Sequence, residues 1–257
     1  AAKVMLADVY MTLKDFNSAK TQLKEVIDYA NQNPDNLGLL DDYASIYDSE
    51  NPVNKEIILA AQFNNGSTQI TNYLMRRCIP AVTPNNQPAY VYPDGTKSTI
   101  LCSQGVSCLL MTWELYNALR KNPQDKRYTQ MVYDKLYDTS QTKSKQTDEV
   151  NVTENGEAYT PATLKYFDTH NQGLKACTSG CDDIIYRYAD VLLMKSEAKV
   201  RNGENGDEEL NLVRSRVNAP FRTATLANLL AERQLEFAWE GWRRQDLIRF
   251  RQYTRTY

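Results

Sequence analysis

The hydrophobic and polar positions at the start of the chain follow a helical period. An apolar stretch over residues 2–13 is followed by a polar turn at residues 14–17. Apolar residues then fall at offsets of four, seven, eight and eleven from Ala19, namely Leu23, Val26, Ile27 and Ala30. These offsets place the set on one face of a helix with about 3.6 residues per turn. The pattern predicts a helical hairpin over residues 1–30.

The helical period is lost after this hairpin. Turn residues are frequent over residues 31–107, and prolines break the pattern at Pro34, Pro52, Pro80, Pro84, Pro88 and Pro93. We predict a loop-rich region with short helices over residues 31–182, including a helix at residues 112–121 and a polar, flexible loop at residues 140–157. The apolar run at residues 56–63 has the length of a strand, but a buried helical turn fits it equally well.

The helical period returns in the last third of the chain. Asp183 is expected to cap an amphipathic helix that ends near Asn202-Gly203 and has Ile185, Tyr188, Ala189 and Leu192 on one face. Two more helices are predicted at residues 207–217, where Pro220 follows, and at residues 225–239. Gly241 is the expected break before a last helix. The whole pattern predicts a mostly α protein.

The charge balance argues against several classes of partner. Thirty basic and 32 acidic residues leave a formal net charge of −2, so no overall cationic field attracts nucleic acid. An apolar stretch of about 18 residues, long enough for a membrane helix, is absent from the sequence. The 17 tyrosines and 3 tryptophans are rings suited to stacking on sugars or peptides, and they are equally suited to the edges of a core.

The sequence offers little for catalysis or cofactor binding. His170 is the single histidine, which restricts any Ser-His-Asp arrangement to one neighbourhood, and the ten glycines form no phosphate-binding loop. The spacing of Cys177 and Cys181 is wider than that of a zinc or redox pair, so we expect neither a metal nor another cofactor. Disulfides between Cys177 and Cys181 or between Cys102 and Cys108 remain open. A pair of carboxylates for glycoside hydrolysis also remains open.

Five segments resemble the SusD/RagB family, in the order in which that family has them. The hairpin at residues 1–30 resembles a tetratricopeptide unit, and residues 56–63 resemble the strand that follows it in the family. Residues 186–198, Tyr-Arg-Tyr-Ala-Asp-Val-Leu-Leu-Met-Lys-Ser-Glu-Ala, are similar to the motif R-x-A-D-V-L-L-M-x-A-E-A. Residues 211–216 match N-x-V-R-x-R, and residues 232–249 match E-R-x-x-E-F-x-x-E-G-x-R-x-x-D-L-I-R.

The resemblance implies a fold, a function and a location. We expect one SusD-like domain over residues 1–257, with a tetratricopeptide-like scaffold, truncated at both ends so that the signal peptide and lipid anchor lie outside it. The family resemblance implies a cell-surface lipoprotein of the outer membrane for polysaccharide utilisation. Such a protein captures oligosaccharides or peptides and passes them to a SusC-like TonB-dependent transporter, without being an enzyme. The alternative is a helical-repeat adaptor that binds a protein partner.

The spacing of charged residues in the last motif predicts a structural role. Glu232, Glu236 and Glu240 recur every four residues and therefore line one helix face. We expect arginines of the following turns to meet them in a lattice of ion pairs, namely Arg243, Arg244 and Arg249. Arg214 and Arg216 are expected to act in the same way, as partners that dock helices.

The ligand site is predicted in the loops at residues 64–113. An oligosaccharide presents hydroxyls and apolar ring faces, so its binder needs flat aromatic rings beside amide and guanidinium groups. This segment supplies that mixture, and prolines stiffen its loops. The candidate ligand-binding residues are Asn72, Tyr73, Arg76, Tyr90, Tyr92 and Trp113.

Overall fold

The computed structural model describes residues 1–63, 72–78, 88–99, 109, 111–138, 152–154, 157–159, 161–168 and 179–254. In this part of the chain the protein is mostly helical with short strands, as the sequence predicts. The chain forms two compact units. The first comprises Ala1–Ile46, Val53–Ala61 and Ile184–Tyr257, and the second comprises Tyr47–Pro52 and Gln62–Asp183.

The elements have the following bounds in chain order. The helices are α1 (Ala2–Leu13), α2 (Phe16–Gln32), α3 (Leu74–Cys78), α4 (Trp113–Arg120), α5 (Lys126–Thr129), α6 (Tyr188–Arg201), α7 (Asp207–Arg216), α8 (Leu226–Glu236) and α9 (Arg243–Arg249). The strands are β1 (Ile57–Ala61), β2 (Pro88–Val91), β3 (Lys97–Thr99), β4 (Val132–Tyr133), β5 (Lys135–Asp138), β6 (Val152–Glu154), β7 (Glu157–Tyr159), β8 (Ala162–Thr163) and β9 (Asp183–Arg187).

The predicted hairpin is confirmed in the first unit. Lys14 ends α1 in the left-handed conformation, with φ of 65°, and the Asp15 side chain caps α2 by accepting a hydrogen bond from the Ser18 N–H at 3.1 Å. The two helices bury small and apolar residues against each other and against α6: Val4, Ala7, Met11, Ala19, Leu23 and Ala30. Small residues allow this close approach of antiparallel helices.

Helix α6 is the centre of the first unit. Ten of its 14 residues are buried, so this helix is surrounded by other elements. It packs against α2, α7 and α8, and its apolar side chains share one core with those of the hairpin. The C-terminal helices therefore dock on the opening hairpin, as its unpaired apolar face requires.

The predicted start of this helix is wrong. Asp183 begins strand β9, in which Ile184 and Tyr186 are buried while Asp183 and Ile185 are exposed. This alternation has the period of two that a strand follows. The helix starts five residues later, where the Asp190 carboxylate accepts a hydrogen bond from the Arg187 N–H at 3.0 Å and thereby caps α6. β9 pairs with β1, which shows that the apolar run at residues 56–63 forms a strand.

The ends of the remaining helices of the first unit follow local backbone geometry. Helix α6 ends at Asn202-Gly203 as predicted, and α7 is followed by Pro220. The helix predicted to extend to residue 239 ends at Glu236. Trp239 and Gly241 adopt positive φ angles of 65° and 81°, which interrupt the helix before α9 begins.

The second unit contains small antiparallel sheets and short helices. β2 pairs with both β3 and β5, β4 pairs with β8, and β6 pairs with β7. Helix α4 confirms the helix predicted at residues 112–121, with the Thr112 hydroxyl accepting from the Leu115 N–H at 3.3 Å. The loop predicted at residues 140–157 is wrong where β6 and β7 form a hairpin, and most of its other residues lie outside the described part.

Candidate functional site

The first part of the predicted site is a fixed stretch of backbone before α3. Asn72 exchanges two backbone hydrogen bonds with Ser179, of 2.8 and 2.9 Å. Its side-chain amide donates to the Cys181 carbonyl at 3.1 Å, and its side-chain oxygen accepts from the Leu74 N–H at 2.7 Å. Asn72 is therefore 5% exposed and holds the start of α3 in place.

Tyr73 follows this anchor and has a different environment. Its side chain is 47% exposed although the backbone on its N-terminal side is pinned to Ser179. An aromatic ring on a fixed backbone loses little conformational entropy when a ligand stacks on it. Arg76 lies on the same short helix, and its side chain falls outside the part that the structure describes.

A second part of the site is the hairpin formed by β2 and β3. Tyr90 lies in β2, opposite Ser98 of β3 and Leu136 of β5, although its side chain lies outside the described part. Tyr92 stands at the end of β2, where its N–H donates to the Thr96 carbonyl at 2.9 Å, and its side chain is partly buried.

The turn of this hairpin is closed by side-chain hydrogen bonds. The Asp94 carboxylate accepts from both the N–H and the hydroxyl of Thr96, at 2.8 and 2.7 Å. These hydrogen bonds hold the pKa of Asp94 below its usual value, because they stabilise the charged form. Gly95 adopts a φ of 81°. The hairpin thus presents Tyr92 beside a well-defined turn.

The third part of the site is the start of α4. Trp113 is partly buried, and its ring packs against Tyr116 with a centroid distance of 5.1 Å and a tilt of 37°. The Arg120 guanidinium lies 4.9 Å from the Trp113 ring centroid and 5.1 Å from that of Tyr116. Its Nε also donates to the Asn117 side chain at 2.8 Å. Trp113 is therefore held by its own helix.

A buried network of two tyrosines and one aspartate includes Tyr116 of α4. Tyr116 packs edge-on against Tyr128, whose hydroxyl donates to the Asp134 carboxylate at 3.0 and 3.1 Å. Burial raises the pKa of Asp134 and of both tyrosines, because it disfavours their charged forms. This network could not be predicted from the sequence, because the spacing of its members has no recognisable period.

The six predicted residues thus occupy three fixed segments of the second unit. Asn72, Tyr73 and Arg76 lie at α3, Tyr90 and Tyr92 lie on the β2–β3 hairpin, and Trp113 starts α4. Asn72 is buried and holds backbone, whereas Tyr73 presents its ring to solvent. The described residues do not assemble the three segments into one pocket.

The cysteine whose carbonyl accepts from Asn72 is chemically inert. Cys181 is a buried free thiol, and burial raises its pKa to about 12. A thiol with such a pKa carries almost no reactive thiolate at neutral pH. Cys102, Cys108, Cys177 and His170 lie outside the described residues.

The family motifs themselves build a buried network of ion pairs in the first unit. The fully buried Arg187 guanidinium contacts Glu56 at 2.8 Å, Glu236 at 2.7 Å and Glu240 at 2.8 Å. Its Nη2 also donates to the Glu236 carbonyl at 2.9 Å. Arginine can satisfy three carboxylates at once because its five N–H groups fan out in a plane.

Helix α7 supplies two more arginines to this network. Arg216 bonds to Glu56 at 3.0 Å and also to Glu236, and its guanidinium lies 4.8 Å from the ring centroid of Tyr43. Arg214 pairs with Glu232. The Tyr43 hydroxyl donates to the Glu236 carbonyl at 2.8 Å. The network thereby joins the residue before β1, the end of β9 and the helices α7 and α8.

A second set of ion pairs fixes α9. Arg233 donates to Asp246 at 2.7 Å, and Arg249 bonds to Asp246 at 2.9 Å and to Glu197 at 3.0 Å. The prediction that Glu232, Glu236 and Glu240 line up for arginine partners is confirmed. The predicted docking role of Arg214 and Arg216 is confirmed, whereas the expectation that Arg243, Arg244 and Arg249 meet these glutamates was wrong. The described ion pairs of these glutamates reach Arg187, Arg214 and Arg216, and Arg249 meets Glu197 and Asp246 instead.

Two general properties follow from the described part of the chain. Within it, no group of three or more His, Cys, Asp or Glu side chains is arranged to hold a metal ion. Among the same residues, no helix has the length and apolar character needed to cross a bilayer.

The comparisons with known proteins place these features in a family. The fold is a mostly helical one with a tetratricopeptide-like hairpin, and its buried ion pairs come from the sequence motifs. A model of the SusD family matches residues 55–257. Because the match covers most of the chain, this chain belongs to the SusD family.

Individual relatives agree with this assignment. The starch-binding protein SusD of Bacteroides thetaiotaomicron is 36% identical over 72 residues, which are 27% of this chain and 13% of that protein. Among solved structures, B. fragilis NanU is 23% identical with a TM-score of 0.73, over 96% of this chain and 55% of that one. Surface glycan-binding protein A from Bacteroides uniformis is 24% identical with a TM-score of 0.68, over 96% and 48%.

A third similar structure is a laminarin binding SusD-like protein, which is 22% identical with a TM-score of 0.70. The match covers 98% of this chain and 54% of that structure. This chain therefore spans about half the length of the solved structures that it matches.

Proposed function

We propose that this protein binds oligosaccharides without cleaving them. The observation that carries the proposal is membership of the SusD family, together with three similar proteins whose names state glycan binding: one binds starch, one is a surface glycan-binding protein and one binds laminarin. Peptides are the second class of ligand that the family resemblance implies.

The second unit provides side chains that suit this function. Tyr73 is half exposed on a fixed backbone, Tyr92 lies at a closed turn, and Trp113 starts a helix beside the Arg120 guanidinium. Aromatic rings of this kind stack on the apolar faces of sugar rings, and Arg76 and Tyr90 belong to the same segments. Asn72 contributes by holding the backbone that carries Tyr73.

The proposal includes a location and a protein partner. As a SusD-family protein, this one is proposed to act as a lipoprotein at the outer-membrane surface and to pass its ligand to a SusC-like TonB-dependent transporter. Affinity purification of the protein from outer membranes solubilised in mild detergent tests the partnership. A large β-barrel protein in stoichiometric amount supports it, and purification without such a partner contradicts it.

Arrays of glycans and peptides test the ligand class. We expect binding to a set of related oligosaccharides and unchanged glycan chains after prolonged incubation, as judged by chromatography. Binding to peptides alone would move the ligand to the second class, and release of shortened glycans would contradict the non-catalytic part of the proposal. Binding to neither array would overturn the proposed function.

A further inference from the structure

Arg77 lies one helical turn after Tyr73. In α3 the Arg77 N–H donates to the Tyr73 carbonyl at 3.3 Å, so the two side chains leave the helix on the same side. Residues at this spacing have Cβ atoms about 5–6 Å apart. Tyr73 is 47% exposed and Arg77 is also exposed. An aromatic and a guanidinium side chain therefore start from neighbouring backbone positions, and both are exposed.

A third residue completes this surface. The Leu109 N–H donates to the Arg77 carbonyl at 2.9 Å, which brings Leu109 beside α3 from a distant part of the sequence. Leu109 is 41% exposed. We call these three residues, Tyr73, Arg77 and Leu109, the α3 patch. The hydrogen bonds between Asn72 and Ser179 hold the backbone at its N-terminal end.

Arg77 differs from the buried arginines of the first unit. Arg187, Arg216 and Arg249 each bond to two or more carboxylates. Within the described residues, the Arg77 guanidinium forms no ion pair or hydrogen bond, and the Tyr73 hydroxyl forms no hydrogen bond either. Both side chains are exposed.

The sequence segment that carries the patch is poor in carboxylates. Residues 64–113 contain Arg76, Arg77 and Lys97 but a single acidic residue, Asp94, so this segment carries a formal charge of +2 in a chain of −2. The Asp94 carboxylate already accepts two hydrogen bonds from Thr96. This sequence segment is thus cationic in a weakly acidic protein.

We infer that the α3 patch recognises an acidic sugar, with Arg77 binding its carboxylate and Tyr73 packing on its ring. A planar guanidinium can donate two parallel hydrogen bonds to a carboxylate, which gives both strength and orientation. Leu109 adds apolar contact beside the ring. This inference rests on the proposed function, because it names the class of glycan that the predicted site accepts.

The inference is tested with acidic oligosaccharides and their neutral counterparts. The probes are oligosaccharides of polygalacturonate, hyaluronate and alginate and a sialylated trisaccharide, each beside the same glycan with its carboxylates reduced to alcohols. Affinities are measured by calorimetry for the unmodified protein, for Arg77→Gln and Arg77→Lys, and for Arg251→Gln. The last variant removes the same charge from an exposed arginine of the first unit and serves as the control.

We expect at least one acidic glycan to bind more tightly than its reduced form. Arg77→Gln should weaken that binding roughly tenfold, as expected for a hydrogen-bonded charge at an exposed site, and should remove most of the preference for the acid. Arg77→Lys should keep part of the affinity, because it keeps the charge but not the planar geometry. Arg251→Gln should leave the affinity unchanged, and raising the salt concentration should weaken the acidic glycan selectively.

Two results would overturn the inference and leave the proposed function standing. One is equal binding of acidic and reduced glycans, and the other is an acidic preference that Arg77→Gln leaves intact. Binding of neutral oligosaccharides alone would likewise overturn the inference and leave the proposed function standing. Failure of every glycan, acidic or neutral, would overturn the proposed function as well.

Discussion

Arg187 is surrounded by three buried carboxylates that come from distant parts of the sequence. Its guanidinium contacts Glu56, Glu236 and Glu240 at 2.7–2.8 Å, and all four side chains are fully buried. Removing one member of such a group leaves its partners charged and without compensation in a medium of low dielectric constant. The network therefore acts as a structural unit, although its net contribution relative to an apolar core is small.

We expect Glu236→Ala to lower the free energy of unfolding by about 3–5 kcal/mol, because it strands Arg187 and Arg216. Chemical denaturation followed by circular dichroism measures the change. Glu25→Ala, which removes an exposed partner of Lys3, is the matched control and should cost less than about 1 kcal/mol. A Glu236→Ala protein with the stability of the unmodified protein and lost ligand binding would assign this residue to the ligand site instead.

Asp190 is expected to make the stability of the first unit depend on pH. Burial raises the pKa of Asp190 to about 7, against the opposite effect of the nearby Arg233 and Arg187, and Glu240 adds to the increase. Its Oδ1 has no hydrogen-bond donor, and the Arg233 Nη2 lies 4.0 Å away. The folded state therefore holds a proton that the unfolded state releases at lower pH.

The sign of the effect follows from this difference in proton binding. The contribution of Asp190 to stability is present at acidic pH and is lost as the pH rises towards about 7, with a slope of at most about 1.4 kcal/mol per pH unit. Denaturation curves between pH 5 and 7.5 should show that Asp190→Asn depends less on pH than the unmodified protein. Parallel pH profiles for the two proteins would rule out a raised pKa at this residue.

At the scale of elements, α6 and α7 approach each other at Gly206. A Cβ atom at this position would lie 2.6 Å from the Ser196 Oγ and 2.7 Å from the Ser196 carbonyl oxygen. The Ser196 hydroxyl donates to the Gly206 carbonyl at 2.8 Å, so a side chain of α6 bonds directly to the backbone at the start of α7. Any side chain here would push α7 away from α6.

We predict that Gly206→Ala lowers the melting temperature and costs about 1–3 kcal/mol, as overpacking usually does. Gly38→Ala is the control, because its nearest neighbour would lie at an ordinary 3.6 Å and its φ is not positive. The double variant Gly206→Ala/Ser196→Ala should recover little, since the carbonyl clash remains. Equal melting temperatures for Gly206→Ala and Gly38→Ala would contradict the close approach.

Some elements of the fold could be predicted from the sequence, and others could not. The hairpin, α4 and α7 could be predicted because their apolar spacing and caps are local. The start of α6 could not, because Asp183 and Asp190 are both acceptable caps and pairing with β1 decides between them. The set of partners of Glu236 could not be predicted either, since they lie 20, 49 and 193 residues away.

At the scale of the whole molecule, the first unit depends on contacts between distant parts of the chain. The hairpin of α1 and α2 shares one core with α6, α7 and α8, although more than 150 residues separate α2 from α6. Isolated helices of this length are marginal in water, so the hairpin needs those partners. Two fragments of the chain thus form one hydrophobic core.

The hairpin by itself should therefore be unfolded. A peptide of residues 1–32 is expected to have little helical signal by circular dichroism in water at 25 °C, and its spectrum should not change cooperatively on heating. The intact chain is the reference, with helices that melt in one transition together with the core. A stable helical spectrum for the peptide would show that docking on α6 is not required.

The candidate site belongs to the second unit, and the sequence could predict its chemistry but not its arrangement. The aromatic residues and arginines of residues 64–113 were recognisable from composition alone. Asn72 bonds to Ser179 and Cys181, more than 100 residues away, so its hydrogen bonds could not be predicted from the sequence. Arg77 could not be predicted as a site residue, because nothing in its local sequence distinguishes it from Arg76.

The central claim is that this SusD-family chain binds glycans through the aromatic residues of its second unit. Its most direct test is the affinity, by calorimetry, of Tyr73→Ala, Tyr92→Ala and Trp113→Ala for the best glycan on the array. Tyr29→Ala serves as the control, because this tyrosine is 51% exposed on α2 of the first unit. We predict that at least one of the three variants loses about 1–3 kcal/mol of binding free energy, with its melting temperature and the affinity of the control unchanged. Unchanged affinity in all three variants would contradict the claim.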